Sequence, residues 1–518
     1  MKHPISPEKV RELHARISGF SEDLPATPTY APYTGEVIHN LPLVGESELE
    51  SACKRARKAQ KIWAALPASQ RASVFKRYHD LVFKNQDLLA DLIQLENGKS
   101  RLYAFEEVAD TALVARFVGY HGPAVLRERR VPGVIPILTK TVIQRAPVGL
   151  VGMITPWNYP LNLPLGDAAA ALMAGNGVIL KPASQTSLTA LAGYDLMIRA
   201  GLPEDLFQIV TGSGAKLAPA LIDNVDYIQF TGGNDSGRSV AEQAASRLIG
   251  CSLELGGKNP GIVFDDAPFE RAVDGIMRGI FGNTGQMCVH LERIYVQSGV
   301  YDRFVAALAK RTNAMKMAAT FEYTSDIGSL TSPEQLQNVS AHVQDAVEKG
   351  ATLITGGKHR PEIGPYFFEP TLLEGVTPEM QLYAEETFGP VASIYRFDRV
   401  EEVVERVNDS DFGLNASVWS RNVRKAKAVA SQIESGTVNI NESYAAVWGS
   451  SAAPQGGFKK SGLGRRHGAE AILKTTEART VAVQRLLNIA PPKGVSDSLY
   501  VKVLAGALKL LKRIPGLR

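Results

Sequence analysis

The chain has 518 residues, too many for one ordinary hydrophobic core, and its 45% hydrophobic and 21% charged content is that of a globular protein with two or three domains. A net charge of +4 gives no electrostatic case for nucleic acid, and no polybasic run with interleaved aromatics occurs. The three cysteines, Cys53, Cys251 and Cys288, lack CxxC pairs or nearby paired histidines, which argues against a disulfide framework and against a zinc site. A reducing, cytoplasmic setting is expected, because no apolar run approaches the ~20 residues that span a bilayer and the charged N-terminal stretch has no signal-peptide core.

In chain order, residues 1–30 read as a short helix and a Pro-rich lead. Apolar residues at three- and four-residue spacing predict helices over 48–63 and 71–96 within a helical region reaching to about 120. Strands are predicted at 140–144 and 149–154, the second a nearly continuous apolar run of the kind buried on both faces of a parallel sheet. Alternation follows: helix 167–174, strand 177–180, helix 188–200, strands 207–210 and 226–230, helix 236–248. This βαβ pattern predicts a doubly wound sheet, and a second α/β series begins near Lys258, with strands at 261–264, 293–296, 352–354, 392–395 and 416–419. After the break at Pro491-Pro492, residues 499–513 read as an amphipathic helix with Lys502, Lys509 and Arg513 on one face. Packing on its own or a partner subunit is the preferred reading of this helix over membrane-surface binding.

Five segments carry candidate chemistry. Cys288 ends the turn-rich stretch Phe281-Gly282-Asn283-Thr284-Gly285-Gln286-Met287, where glycines let backbone amides approach a thiol. Thr155-Pro156-Trp157-Asn158-Tyr159-Pro160 follows a buried strand, where open α/β sheets place ligands, and the Asn158 amide can donate to an oxyanion. Lys181-Pro182-Ala183-Ser184 offers a cation and a hydroxyl after the next strand. Glu254, between two leucines and before Gly256-Gly257, is a candidate for the raised pKa of a general base. Glu385-Glu386-Thr387-Phe388-Gly389 places acids beside an aromatic and a turn. The glycine fingerprint of ordinary dinucleotide folds is missing, since neither Gly212-Ser213-Gly214 nor Thr231-Gly232-Gly233 has its spacing. Each segment alone has a structural reading: a packed indole, a solvated lysine, a helix cap, a loop acid.

As a set, with Cys288 lying 34 residues after Glu254, these segments resemble the aldehyde dehydrogenase superfamily over about residues 41–483, and are most similar to its NADP-dependent succinate-semialdehyde members of actinobacteria. The resemblance implies an α/β fold of two doubly wound domains plus a small β oligomerisation arm. It assigns a dinucleotide-binding domain to 1–125, 146–257 and 463–474, a catalytic domain to 258–462 and the arm to 126–145 and 475–490, with 491–518 as a basic tail. It implies Cys288 as nucleophile, Asn158 as oxyanion donor, Glu254 as the base that activates water, and a dinucleotide held by Trp157, Asn158, Lys181, Ser184, Gly232, Gly233, Leu255, Glu386 and Phe388. No metal is implied, and a homodimer or homotetramer is expected through Thr480–Val483. Ser184 stands where NAD-preferring members tend to carry glutamate, so NADP is expected ahead of NAD. Succinate-semialdehyde members carry arginines where this chain has Gly166 and Gly282, which leaves other aliphatic or aromatic aldehydes as the alternative substrates. Retention of Cys288, Glu254 and Asn158 weighs against a catalytically silent, membrane-peripheral scaffold.

Overall fold

The computed structural model describes residues 5–133, 138–485 and 490–511. Two mainly parallel sheets, each with one antiparallel edge strand, and a small antiparallel sheet organise the chain. The first has six strands in the order Gly462–Leu463, Gly250–Glu254, Tyr227–Thr231, Leu150–Ile154, Gly177–Lys181 and Phe207–Ile209. Only the short Gly462–Leu463 strand runs antiparallel, with Gly462 opposite Glu254. From Leu150–Ile154 the chain winds outward through Gly177–Lys181 to one side, then returns to the other side at Tyr227–Thr231. The chain order therefore reverses beside Ile154, and the segment that emerges there is Thr155–Pro160, where a crevice opens at the carboxyl ends of the strands.

The second sheet has seven strands in the order Thr352–Thr355, Thr371–Glu374, Val391–Phe397, Leu291–Gln297, Asn259–Val263, Asn415–Trp419 and Thr437–Ile440. Its central strands are buried on both faces, between one apolar cluster around Phe264, Tyr295 and Phe397 and another around Ile276, Phe304 and Trp419. The third sheet joins Thr476–Gln484, Thr139–Pro147 and Arg129–Val131 antiparallel, and its outer strand exposes every residue after Thr476.

The predicted strands up to 419 are present, within one or two residues at their ends except that 140–144 runs on to Pro147; Gly250–Glu254, Thr371–Glu374 and Thr437–Ile440 are short strands that the pattern did not reveal. The helix predicted over 71–96 is two helices, Ala68–Lys84 and Gln86–Asn97. Asn85 divides them: its backbone leaves helical geometry at φ −112° and ψ 21°, and its side-chain amide donates at 2.7 Å to the Leu81 carbonyl, which also accepts from the Asn85 N–H. The helix predicted from 167 begins five residues earlier, as Asn162–Met173. Its first amides are satisfied by a distant carboxylate, since Glu107 Oε1 accepts from Leu161 N at 2.7 Å and Asn162 N at 3.2 Å.

The tail forms the helix Asp497–Leu511, in which no residue is buried; Leu499, Val503 and Leu510 are more than half exposed. Packing of the tail on its own subunit is thus not observed among the described residues, and Arg513, expected on its basic face, lies outside them. No helix among the described residues is long and apolar enough to cross a membrane.

Candidate active site

The turn before Cys288 is held in an unusual backbone shape. Asn283, Thr284 and Gly285 have φ of 51°, 56° and 70° in succession. Side-chain-bearing residues avoid this left-handed region at a cost of about 1–2 kcal/mol each, so the surroundings must impose it. They do: Asn283 Nδ2 donates to the Gln286 carbonyl at 2.8 Å, and Gln286 Oε1 accepts from Thr331 N at 3.0 Å. A Cβ on Gly285 would sit 1.9 Å from the Gly389 carbonyl oxygen, so the turn is pressed directly on the backbone that follows Phe388. Behind it, Asn259 Nδ2 donates to the carbonyls of Cys288 (2.8 Å) and His290 (2.7 Å), tying the cysteine to the edge of the seven-stranded sheet.

Asn158 reaches the same turn from the six-stranded sheet. Its Nδ2 donates to the Gln286 carbonyl at 3.1 Å, while its own carbonyl accepts from Lys99 Nζ at 2.7 Å. Lys99 is fully buried and paired with the equally buried Glu107 at 2.7 Å, and lies 4.0 Å from the centre of the Tyr159 ring. Neither Lys99 nor Glu107 stood out in the sequence, because Lys99 sits in a short linker between two helices, Glu107 lies within a helix, and nothing local marks them as partners.

Glu254 closes the site from the end of Gly250–Glu254. It is buried, and its Oε1 has no hydrogen-bond partner. Burial pushes its carboxyl up to about 8, Arg466 and Lys474 opposing that rise and Asp167 adding to it. Arg466 and Asp167 form a buried pair, with Arg466 Nε at 3.0 and 3.1 Å from the two carboxylate oxygens. The Cys288 residue is only partly accessible, and burial, followed by the nearby Glu386 and Glu254 carboxylates, pushes its thiol up to about 12. A neutral thiol beside an unpartnered, partly protonated carboxyl is an arrangement in which a proton can pass from sulfur to Glu254 or to a water between them.

The Glu386–Phe388 segment is positioned by a second buried network. Glu292 accepts from Thr387 N (2.9 Å) and Phe388 N (3.2 Å), pairs with Lys258 and lies 3.0 Å from His290 Nε2. Burial alone would raise the Glu292 carboxyl, but Lys258 and His290 hold it well below the usual carboxylate range. This network keeps Phe388 at φ 55° and its ring edge-on to Trp157, with centroids 5.5 Å apart. Glu386 Oε1 accepts from Gly257 N at 2.9 Å, leaving Oε2 over Gly256; burial, reinforced by Glu292, lifts its carboxyl to about 7.

Lys181 and Ser184 lie at the end of the neighbouring strand Gly177–Lys181. Lys181 is buried, its Nζ donates only to the Pro182 carbonyl at 3.3 Å, and no carboxylate lies within ion-pair reach among the described residues. Gly232 and Gly233 end Tyr227–Thr231 and open the helix Asn234–Ser246, and a Cβ on Gly233 would meet nothing within 4 Å. Leu255, next to Glu254, packs on Gly237 of that helix. An unpaired buried cation, a hydroxyl, an open helix start and a free carboxylate oxygen on Glu386 are donors and acceptors suited to the phosphates and ribose hydroxyls of a dinucleotide. The structure thus gathers Trp157, Asn158, Glu254, Cys288, Glu386 and Phe388 at the junction of the two large sheets, with Lys181, Ser184, Gly232, Gly233 and Leu255 along the carboxyl edge of one of them.

The profile of the aldehyde dehydrogenase family matches residues 21–481, and this chain belongs to that family of NAD(P)-dependent oxidoreductases. Over 498 residues, 96% of each chain, it is 46% identical to a protein of Mycolicibacterium smegmatis provisionally named a succinate-semialdehyde dehydrogenase using NADP. Among solved structures it is similar to the succinate-semialdehyde dehydrogenase of Burkholderia pseudomallei, at 34% identity and TM-score 0.86 over 90% of this chain and 97% of that one. It is likewise similar to the NAD complex of an aldehyde dehydrogenase from Bacillus cereus, at 33% identity and TM-score 0.87 over 93% and 100%.

Replacing Lys99 by Met leaves Glu107 charged and buried without its partner. The expected loss is about 3–5 kcal/mol of stability, read as a lowered denaturation midpoint, with Lys99→Met/Glu107→Leu recovering part of it.

Proposed function

We propose that this chain oxidises succinate semialdehyde to succinate, with NADP preferred to NAD as the oxidant. The observation that carries the reading is that Asn158 bonds the turn that ends in Cys288, while the unpartnered Glu254 carboxyl is near enough to bear on the thiol. Cys288 adds its sulfur to the aldehyde carbon, and the oxyanion of the resulting thiohemiacetal takes hydrogen bonds from the Asn158 amide and the Cys288 backbone N–H. The dinucleotide, when bound, supplies the hydride acceptor. Glu254 then removes a proton from the water that cleaves the Cys288 thioester, and the acid leaves. Trp157, Lys181, Ser184, Gly232, Gly233, Leu255, Glu386 and Phe388 hold the dinucleotide, in a binding domain made of 1–125, 146–257 and 463–474 facing a catalytic domain of 258–462. The arm, 126–145 with 475–490, pairs subunits into a dimer or a dimer of dimers, for which the exposed edge strand Thr476–Gln484 is suited.

NADP preference rests on Ser184 and on Lys181, whose ammonium has no ion-pair partner among the described residues. A 2′-phosphate would meet a cation and a hydroxyl there, and position 184 itself carries no carboxylate to repel it. The names borne by the relatives point the same way. Following reduced-cofactor absorbance, succinate semialdehyde is expected to give a higher kcat/KM than aliphatic or aromatic aldehydes, and NADP a lower KM than NAD. Ser184→Glu is expected to raise the NADP KM by about tenfold or more while NAD use persists. Faster oxidation of neutral aldehydes would overturn the substrate, and stronger use of NAD by the unaltered chain would overturn the cofactor.

The raised carboxyl of Glu254 fixes the sign of the pH dependence. The base works deprotonated, so turnover limited by thioester cleavage rises with pH and levels off above about 8. Glu254→Gln is expected to remove that limb and to give one rapid equivalent of reduced cofactor per site, followed by turnover slowed by about 10²–10⁴. Unchanged steady-state turnover in this variant would remove Glu254 from the mechanism.

A further inference from the structure

Outward from Cys288, the site wall is apolar and aromatic. Met287, Val289, Leu414 and Tyr444 form one buried cluster, with Tyr159 and Cys288 packed against it. Tyr159 OH donates to Met287 Sδ at 3.1 Å, and the space a Cβ on Gly282 would occupy is bounded by Met287 and Tyr103. One cation opens onto this wall. Arg278, on the helix Phe269–Phe281 one turn before Gly282, donates from Nε to Tyr444 OH at 2.6 Å, its guanidinium 5.0 Å from that ring's centre. Its Nη2 donates to Glu106 Oε1 at 2.9 Å, and its side chain remains 38% exposed. Both N–H groups of Nη1 and one of Nη2 have no partner among the described residues.

Several other basic groups around the site are committed or lie elsewhere, and Lys474 faces Asp167 and Glu254. Lys99 is spent on Glu107 and the Asn158 carbonyl, Arg466 on Asp167 and Lys258 on Glu292. Lys181 sits at the end of a strand of the other sheet. Arg278 combines partial exposure, free N–H groups and contact with the aromatic lining. Its placement is fixed, because Ser443 Oγ donates to the Gly275 carbonyl at 2.7 Å and so clamps the Tyr444 loop to the arginine's helix.

We propose that Arg278 is the specificity-determining group of this site, receiving the far carboxylate of an ω-oxo acid whose aldehyde end lies at Cys288. A carboxylate accepts two parallel N–H groups from a guanidinium, the geometry that its unpartnered edge offers and that a lysine cannot reproduce. Glu106 holds the guanidinium from one side and Tyr444 from the other, so the edge is presented before substrate arrives. This inference rests on the reading of the chain as an aldehyde-oxidising enzyme with a semialdehyde substrate. It explains how glycines at 166 and 282 are compatible with that substrate: the cation is supplied one helical turn further out.

The test uses the full-length enzyme with NADP and compares Arg278→Gln and Arg278→Lys with the unaltered chain on succinate semialdehyde and on butanal, a neutral aldehyde of the same carbon count. Arg278→Gln is expected to raise KM for the oxo acid about 10–100-fold, a loss at least about tenfold greater than any loss on butanal, with Arg278→Lys intermediate. Succinate inhibition of butanal oxidation reads carboxylate binding separately from turnover, and its inhibition constant is expected to rise by a similar factor in Arg278→Gln. Equal losses on both aldehydes, or an unmoved succinate inhibition constant, would overturn the role of Arg278. A preference of the unaltered enzyme for butanal would overturn the semialdehyde reading instead, and the succinate arm distinguishes the two failures.

Discussion

The ion pair between Lys258 and Glu292 is the contact on which the geometry of the site depends. Both groups are buried at the start of neighbouring strands of the seven-stranded sheet, where an unpaired charge would cost several kcal/mol. Glu292 can remain ionised there because a lysine, a histidine and two backbone amides all face it. Those amides belong to Thr387 and Phe388, so the same carboxylate sets the segment bearing Glu386 and forces Phe388 into left-handed backbone geometry. The Gly389 carbonyl then abuts Gly285, which shapes the turn carrying Cys288. One charge pair thereby positions the turn of the proposed nucleophile and a proposed cofactor-contacting acid together.

The molecule separates the charges around its site into two kinds. Lys99 with Glu107, Lys258 with Glu292 and Arg466 with Asp167 are mutually satisfied, and each holds backbone or a neighbouring polar group in place. Glu254, Lys181 and the outer edge of Arg278 are left partly unpartnered. Desolvation without a compensating partner is unfavourable for a fold and useful for a site, because it leaves a group free to exchange a proton or to meet a charged ligand. The unpartnered groups are the ones to which chemistry or binding is assigned above, and the paired groups build their surroundings.

Much of this was legible in the linear chain. The apolar run at 149–154 read as a strand covered on both faces, and the alternation of strand-like segments such as 177–180 with helical periodicity implied doubly wound sheets. Cys288, Asn158 and Glu254 stood out because a thiol, an amide and an acid each interrupted a glycine-rich or apolar context. The division of the 71–96 helix at Asn85 was not legible, since apolar spacing continues across it and only the folded chain shows the Asn85 backbone leaving helical geometry.

What the sequence determined by itself was local: the class of fold, the strand ends at which ligands gather, and the residue types able to add to and release an aldehyde carbon. Tertiary structure decided the partners. Glu107 caps a helix that starts 55 residues later in the chain, Arg466 meets Asp167 across 299 residues, and Arg278 meets Glu106 across 172. Hydrophobic periodicity is written over a few neighbouring residues, whereas electrostatic pairing depends on distance in space and on how much water the surrounding fold excludes. A lysine on a helix reads alike whether it is solvated or sealed against a carboxylate, and only the packed chain shows which charges are consumed in holding the site and which remain for substrate and cofactor.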